Sequence, residues 1–254
     1  MKKSTKKIIS GVSKLISKPN PVNIYYHDIT LHSGESYMRI NKEKFYSQMK
    51  FLYENNYETL LFSDIKKGNN PTKKSILISF DDGFESNYEY GMSILKKFGI
   101  KANIFLTLDY IGKEGYLTWD MVKEMHDSGL IEFGAHTKTH LDSRLINSNN
   151  FKEEIRSVNE NIEKHCGYQV EDFCFPYGIY NRKVLKYFND FGIYKRVYTS
   201  DMCNPKKMSF LKPVGRIGIR DEDDLEDFSN KVKGNYVSIY YLKRLRRLFN
   251  YNGI

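Results

Sequence analysis

Two neighbouring carboxylates and two spaced histidines are the residues of this chain best suited to chemistry. Asp81 and Asp82 directly follow an apolar run over residues 75–80, and His136 and His140 stand four residues apart after another apolar run. Adjacent side chains point in different directions, so one carboxylate can bind a metal while its neighbour faces a substrate. One carboxylate and two neutral imidazoles leave coordination positions open for water. The set predicts a divalent-metal hydrolase site that suits zinc, iron, cobalt or nickel.

Each motif also has a purely structural interpretation. Aspartate followed by glycine is an ordinary turn after a strand, so residues 82–83 alone favour an acidic turn. His136 and His140 share one face only if their segment turns helically. The strand-ending carboxylates and the histidine pair together indicate a metal site much more strongly than either motif does alone.

Two further strand ends carry candidate residues. His27 follows a β-rich run over residues 22–26. It is either a polar surface residue or the acid that amide hydrolysis needs for its leaving amine. Residues 175–178, which include Tyr177, follow another short predicted strand. Their backbone N–H groups could face a developing oxyanion, although an aromatic–proline turn explains the same residues.

Positioning these residues requires strands that alternate with helices. We predict strands over residues 22–26, 75–80, 102–107, 130–134, 173–175 and 196–199, and helices over 41–55, 86–98, 118–128, 150–165 and 181–190. The alternation predicts an α/β fold with a parallel sheet. In α/β barrels the active site lies where strands end, which is where the candidate residues fall.

The length and charge distribution of the chain limit its function. Its 254 residues suit one domain, and its three cysteines lack the spacing of a disulfide framework or a zinc knuckle. The net charge is +9, but residues 1–20 and 231–254 together contribute +12, which leaves −3 for residues 21–230. An acidic body disfavours a nucleic-acid partner, whereas basic ends favour peripheral contact with an anionic membrane.

The chain therefore divides into a basic amphipathic segment over residues 1–20, a catalytic domain over 21–230 and a basic helix over 231–254. Ser10, Gly11, Ser13 and Lys14 interrupt the apolar stretch that a secretory signal needs. We expect a protein that is cytoplasmic or peripheral to the inner membrane face, with a secreted or cell-surface location as the alternative. A solvated or disordered segment explains the N-terminal pattern equally well.

Four segments together resemble a known enzyme family. Residues 79–83, 136–140 and 173–178 resemble the first, second and third motifs of the carbohydrate esterase family 4 polysaccharide deacetylases. Residues 25–29 are similar to the branch that deacetylates poly-N-acetylglucosamine exopolysaccharides, in which the histidine motif lies at the start of the domain. The resemblance covers about residues 22–220.

The resemblance implies a distorted (β/α) barrel, often of seven strands. It implies a hydrolase that removes N-acetyl groups from the amino sugars of a polysaccharide or oligosaccharide, so the partner would be a carbohydrate containing N-acetylhexosamine. One divalent metal ion is implied, zinc first and nickel, cobalt or iron otherwise, with Asp82, His136 and His140 as its ligands.

The family also implies roles for residues outside the metal set. Asp81 would be the general base, His27 the general acid, and the backbone at Tyr177 would help to hold the oxyanion. Many members carry an arginine near the base at the position where this chain has Cys174. Arg216 could supply that cation instead.

Two alternatives stay open. A deacetylase or deformylase of a lipid-linked sugar precursor at the membrane would explain the basic ends. A non-catalytic carbohydrate-binding protein with the same fold is indicated only by Cys174, and the full set of other motif residues disfavours it.

Overall fold

A computed structural model describes residues 21–34, 36, 38–66, 74–201 and 212–235 of the chain. The predicted basic segments lie outside these residues, apart from 231–235, so their contact with a membrane stays a prediction. The last described helix, Leu225–Val232, crosses the boundary that we placed after residue 230. Within the described ranges, no helix is both long and apolar enough to cross a membrane.

Parallel strands form the centre of the fold. In chain order they are β1 (Val22–Tyr26), β2 (Asp28–Thr30), β3 (Arg39–Asn41), β4 (Glu58–Thr59), β5 (Ser75–Phe80), β6 (Ala102–Leu106), β7 (Ile131–Ala135), β8 (Asp172–Cys174), β9 (Arg196–Thr199), β10 (Val214–Gly215) and β11 (Ile217–Gly218). Eight of them follow the order β10-β9-β8-β7-β6-β5-β1-β11, with β4 paired to β5 beside this path. Strands β2 and β3 form a separate pair.

Helices lie between the strands, as the predicted alternation requires. They are α1 (Lys42–Glu54), α2 (Phe62–Lys66), α3 (Met92–Phe98), α4 (Trp119–Asp127), α5 (Ser157–Cys166), α6 (Arg182–Phe191) and α7 (Leu225–Val232). Asn41, Thr118 and Asn181 begin α1, α4 and α6, and each side chain accepts a hydrogen bond from a backbone N–H group of the first turn. Such caps satisfy donors that a helix start would otherwise leave unpaired.

The path of eight strands shows that the expected count of seven is wrong. Strands β10 and β11 contain two residues each, too few to produce a recognisable alternation in the sequence. They pair with β9 and β1 at opposite ends of the path, although only Arg216 separates them in the chain. The sheet therefore forms a near-barrel, and Arg216 lies at its closure.

The inner strands are buried along their whole length. All six residues of β5 and all five of β6 are buried, as expected for parallel strands covered on both faces. Asp81, Asp82 and His136, directly after β5 and β7, are buried as well. Buried polar groups are costly unless they are paired, so these strand ends mark a site rather than ordinary core.

Candidate active site

The carboxyl ends of neighbouring strands bring the predicted site residues together. His27 follows β1, Asp81 and Asp82 follow β5, and His136 follows β7. Strand β1 pairs with β5, and β6 lies between β5 and β7. One cavity of about 290 Å³ is lined by Tyr25, His27, Met38, Asp81, His136, His140, Tyr177, Gly178 and Ser200.

The three predicted metal ligands lie against one another. Asp82 Oδ1 is 3.5 Å from His136 Nε2 and 3.3 Å from His140 Nε2. One donor atom from each of the three residues lies within 4.8 Å of the donor atoms of the other two. Asp82 Oδ1 is buried and accepts no hydrogen bond from the described residues. A buried carboxylate oxygen facing two imidazole nitrogens fits a divalent cation, and the donor set suits zinc and its neighbours in the first transition row.

Burial dominates the electrostatics of this group. Burial, followed by the charge of Asp81, raises the pKa of Asp82 to about 7. Burial also lowers the pKa of His136 to about 3, so its imidazole is neutral. The Nδ1 atom of His136 lies 2.8 Å from the backbone oxygen of Cys174. A hydrogen on Nδ1 leaves the Nε2 lone pair directed towards Asp82, the arrangement in which histidine binds metals.

The histidines converge through a loop rather than through a helical turn, so the helical condition is not met. Thr137 and His140 have positive φ angles of 65° and 60°. The loop is held by Glu154, whose side chain accepts hydrogen bonds from the backbone N–H and the hydroxyl of Thr139. Glu154 was not identified from the sequence, because nothing local connects a residue of the next helical segment with this loop.

Asp81 pairs with Arg216 rather than with the loop histidines. Arg216 Nη1 and Nη2 donate to the two oxygens of Asp81 at 2.7 and 2.8 Å. Arg216 is fully buried, and Asp81 is 4% exposed. Burial alone would raise the pKa of Asp81, but the charge and the hydrogen bonds of Arg216 outweigh it and hold that pKa well below its usual range. Asp81 is therefore an ionised carboxylate with a fixed orientation.

The same guanidinium also reaches Cys174, the position at which the family resemblance implies an arginine. Arg216 Nη2 lies 2.8 Å from Cys174 Sγ. Burial raises the pKa of the Cys174 thiol well above its usual value. Atoms of Asp81, His136 and Cys174 also lie within 4.8 Å of one another. Because Arg216 already contacts two of these three residues, this second group holds a cation of the protein itself rather than a metal.

His27 lies on the other side of Asp81. Its Nε2 atom is 4.0 Å from Asp81 Oδ2, and its side chain is 18% exposed. Burial lowers the pKa of His27, while the charge of Asp81 opposes this shift. Its backbone oxygen accepts a hydrogen bond of 2.8 Å from Asn87 Nδ2, which holds the strand end in place. The imidazole therefore borders the cavity beside the carboxylate.

Tyr177 forms the opposite rim of the cavity. Its φ angle is 59°, in the left-handed region that non-glycine residues seldom adopt. Its side chain is 65% exposed, and its ring stands edge-on to His140 with the centroids 4.5 Å apart. The structure thus brings His27, Asp81, His136, His140 and Tyr177 around one cavity, and Asp82 contacts both of these histidines.

Residues 68–195, half of the chain, match the family model for polysaccharide deacetylases. A relative from Bacillus subtilis strain 168, YxkH, is named as a polysaccharide deacetylase and is 33% identical over 167 residues. That alignment covers 64% of this chain and 58% of YxkH. The chain thus spans less than two thirds of the length of this relative.

Two further comparisons agree. A poly-beta-1,6-N-acetyl-D-glucosamine N-deacetylase from Staphylococcus aureus strain MSSA476 is 28% identical over 195 residues, which cover 70% of this chain and 67% of that protein. The crystal structure of a polysaccharide deacetylase from Bacillus cereus superposes with a TM-score of 0.76 and 26% identity, covering 85% of this chain and 69% of the other.

The chain therefore belongs to the polysaccharide deacetylase family, and its fold matches that of the Bacillus cereus protein.

Proposed function

We propose that this protein is a metal-dependent N-deacetylase that removes acetyl groups from N-acetylglucosamine units of a polysaccharide. One observation carries the proposal: two adjacent carboxylates have separate surroundings. Asp82 faces His136 and His140, whereas Asp81 faces Arg216 and His27. This division provides one site for a cation and one ionised carboxylate beside it.

Asp82, His136 and His140 would hold the metal, zinc in the first instance. A divalent ion held there would polarise the acetyl carbonyl and make a water molecule more acidic. The ligands are suited to this because Asp82 Oδ1 has no hydrogen-bond donor among the described residues and His136 is neutral.

Asp81 would accept a proton from the attacking water. Its depressed pKa keeps it ionised throughout the neutral range, and Arg216 fixes the direction of both oxygens. A carboxylate held in this way loses little orientational freedom when the reaction occurs.

His27 would give a proton to the leaving nitrogen. Its lowered pKa makes the protonated imidazole a readier donor, and the neighbouring carboxylate of Asp81 favours the protonated form. The proposed acid and base thus lie 4.0 Å apart, and both line the cavity together with the loop histidines.

An aromatic row leading away from the cavity supports an extended glycan as substrate. The rings of Tyr177 and Tyr110 flank His140, with centroid distances of 4.5 and 6.1 Å. The ring centroids of Tyr110 and Tyr116 are 4.7 Å apart, and Tyr116 stacks on Phe84 with a centroid distance of 5.0 Å. Rings of this kind offer large apolar faces on which sugar units of an extended chain can pack. A poly-N-acetylglucosamine substrate also agrees with the activity for which the Staphylococcus aureus relative is named.

The lipid-linked precursor has weaker support, because it rests on basic termini outside the described residues. The non-catalytic alternative loses its one indication, since Arg216 places a guanidinium beside Cys174.

Acetate release from N-acetylglucosamine oligomers, measured with and without a chelator, tests the proposal. We expect release that the chelator abolishes and added zinc restores. The variant Asp81→Asn should lose activity. The control is Asp190→Asn, which changes a surface carboxylate paired with Lys186 on α6 and should keep full activity. Absence of acetate release by the metal-loaded wild type from oligomers of every length would overturn the proposal.

A further inference from the structure

Tyr25 contacts both His27 and the Arg216 guanidinium that pairs with Asp81, yet it has no role so far. The face of its ring lies 4.5 Å from the Arg216 guanidinium carbon. Its edge meets the His27 ring, with centroids 5.5 Å apart and planes inclined by 71°. One side chain at the end of β1 thus contacts the cation that holds Asp81 and the imidazole beside Asp81.

Hydrogen bonds hold the Arg216 guanidinium at its Nη atoms but not at Nε. Its Nη atoms donate to Asp81, Ser79 and Cys174, but its buried Nε has no hydrogen-bond partner among the described residues. A second ring, that of Phe105, lies 5.3 Å from the guanidinium carbon. Aromatic faces attract guanidinium groups, most strongly where water is excluded, and a bidentate pair is sensitive to the plane of the fork.

Gly218 keeps the space that the Tyr25 ring occupies. It is the residue of β11 that pairs with Tyr25 of β1. A Cβ atom at Gly218 would lie 3.1 Å from both Cζ and Oη of Tyr25. The strand pairing that closes the barrel therefore places a residue without a side chain next to this ring, two positions after Arg216.

We propose that Tyr25 is a positioning residue whose ring holds the Arg216–Asp81 pair and His27 in register, and that Gly218 is required because it leaves room for the ring. The inference rests on the proposed function. The role belongs to the ring rather than to the hydroxyl, because both contacts are made by the ring. Loss of the ring should impair the chemical step while substrate binding persists.

Four variants of the full-length, metal-loaded protein test this inference by steady-state kinetics. Tyr25→Phe keeps the ring, and we expect kcat within about threefold of the wild type. We expect Tyr25→Leu and Gly218→Ala each to lower kcat about 10–100-fold with KM nearly unchanged, as misplacement of a reacting group does. In the double variant, Gly218→Ala should add almost nothing to Tyr25→Leu, because the ring that it would displace is absent. Tyr46→Leu is the control, since it removes a ring 4.9 Å from Lys97 away from the site.

A spectroscopic measurement separates this inference from the proposed function. In protein labelled with ¹⁵N-arginine, the Arg216 Nε–H resonance should move in Tyr25→Leu and Gly218→Ala and stay in place in Tyr25→Phe and Tyr46→Leu. If the wild type proves inactive on every acetylated sugar, the proposed function fails and this resonance alone decides the inference. Any of three results would overturn the inference. The Arg216 resonance could stay unmoved in Tyr25→Leu, or Tyr25→Phe could lose as much kcat as Tyr25→Leu. In the third, Gly218→Ala would lower kcat by its full factor even in the Tyr25→Leu background.

Discussion

Arg216 donates to both oxygens of Asp81 from 135 positions further along the chain. The pair is buried, and it exists because the barrel closes at Arg216. The guanidinium also contacts Cys174, the position at which the family resemblance implies an arginine. The cation thus reaches Asp81 from a different strand end than the resemblance implies.

Loss of this pair should affect both stability and turnover. Removal of one partner of a buried ion pair typically costs about 3–5 kcal/mol, because the other charge stays buried without compensation. We expect Arg216→Ala to lower the free energy of unfolding by this amount and to reduce kcat about 100-fold or more. Urea denaturation and acetate release measure the two effects, and full activity in a folded Arg216→Ala protein would contradict the assignment.

The position of the guanidinium can be tested by moving it. Cys174→Arg alone should destabilise the protein, since Cys174 Sγ is already 2.8 Å from Arg216 Nη2. In the Arg216→Ala background, the same substitution should restore part of the lost kcat. Acetate release by both single variants and by the double variant measures this effect. If kcat does not recover in a folded double variant, the cation is effective only when it comes from position 216.

The two adjacent carboxylates should differ in their effect on metal content. We expect Asp82→Asn to lose most of the bound metal, since it removes the anionic ligand between the two histidines. Asp81→Asn should retain the metal but lose about 10²–10⁴-fold in kcat, the usual contribution of a positioned base. Metal analysis by mass spectrometry beside kinetics decides this, and equal metal loss in both variants would mean that the roles are not separate.

Asp221 should make the free energy of unfolding depend on pH through its hydrogen bonds to Gly34 and Asn41. Its oxygens accept hydrogen bonds from the backbone N–H groups of Gly34 and Asn41, and Lys44 Nζ is 3.3 Å away. Burial would raise the pKa of Asp221, but these donors together lower it. The lowered pKa means that its stabilisation is complete above the unfolded value of about 3.9 and is lost as the pH falls through the folded value.

The variant Asp221→Asn should therefore be less stable than the wild type at neutral pH, by about 1–3 kcal/mol. The difference should shrink as the pH falls below about 4. Urea denaturation of both proteins between pH 7 and pH 3 measures it. A difference that stays constant over this range would show that the stabilisation does not come from the charge of Asp221.

Gly178 should be less tolerant of a side chain than a comparable glycine elsewhere. A Cβ atom there would lie 2.0 Å from Ser200 Oγ and 2.8 Å from the backbone nitrogen of Ser200. Gly167 has a similar positive φ angle, 75° against 68°, but no neighbour within 4 Å of such an atom. We expect Gly167→Ala to cost about 1 kcal/mol from backbone strain alone, and Gly178→Ala to cost more and to lower kcat by displacing Tyr177. Melting curves and kinetics of the two variants provide the comparison, and equal costs would contradict it.

Much of the framework was predictable because its signals are local. The strands over 22–26, 75–80 and 196–199 have the predicted bounds, since runs of apolar or β-branched residues bounded by breakers need no distant information. Family membership followed from the same short motifs, and the comparisons confirm it. The two-residue strands β10 and β11 escaped prediction, because they exist only through pairing with β9 and β1.

The sequence by itself determined which residues could do the chemistry and that they follow strand ends, because side-chain type and strand periodicity are written locally in the chain. Only the tertiary structure decided how they are paired. Barrel closure brings Arg216 to Asp81, the 136–140 loop turns through two positive φ angles instead of a helix, and Gly218 lies opposite Tyr25. The contacts of Arg216 and Gly218 join segments far apart in sequence, and no local pattern records the partner that folding selects.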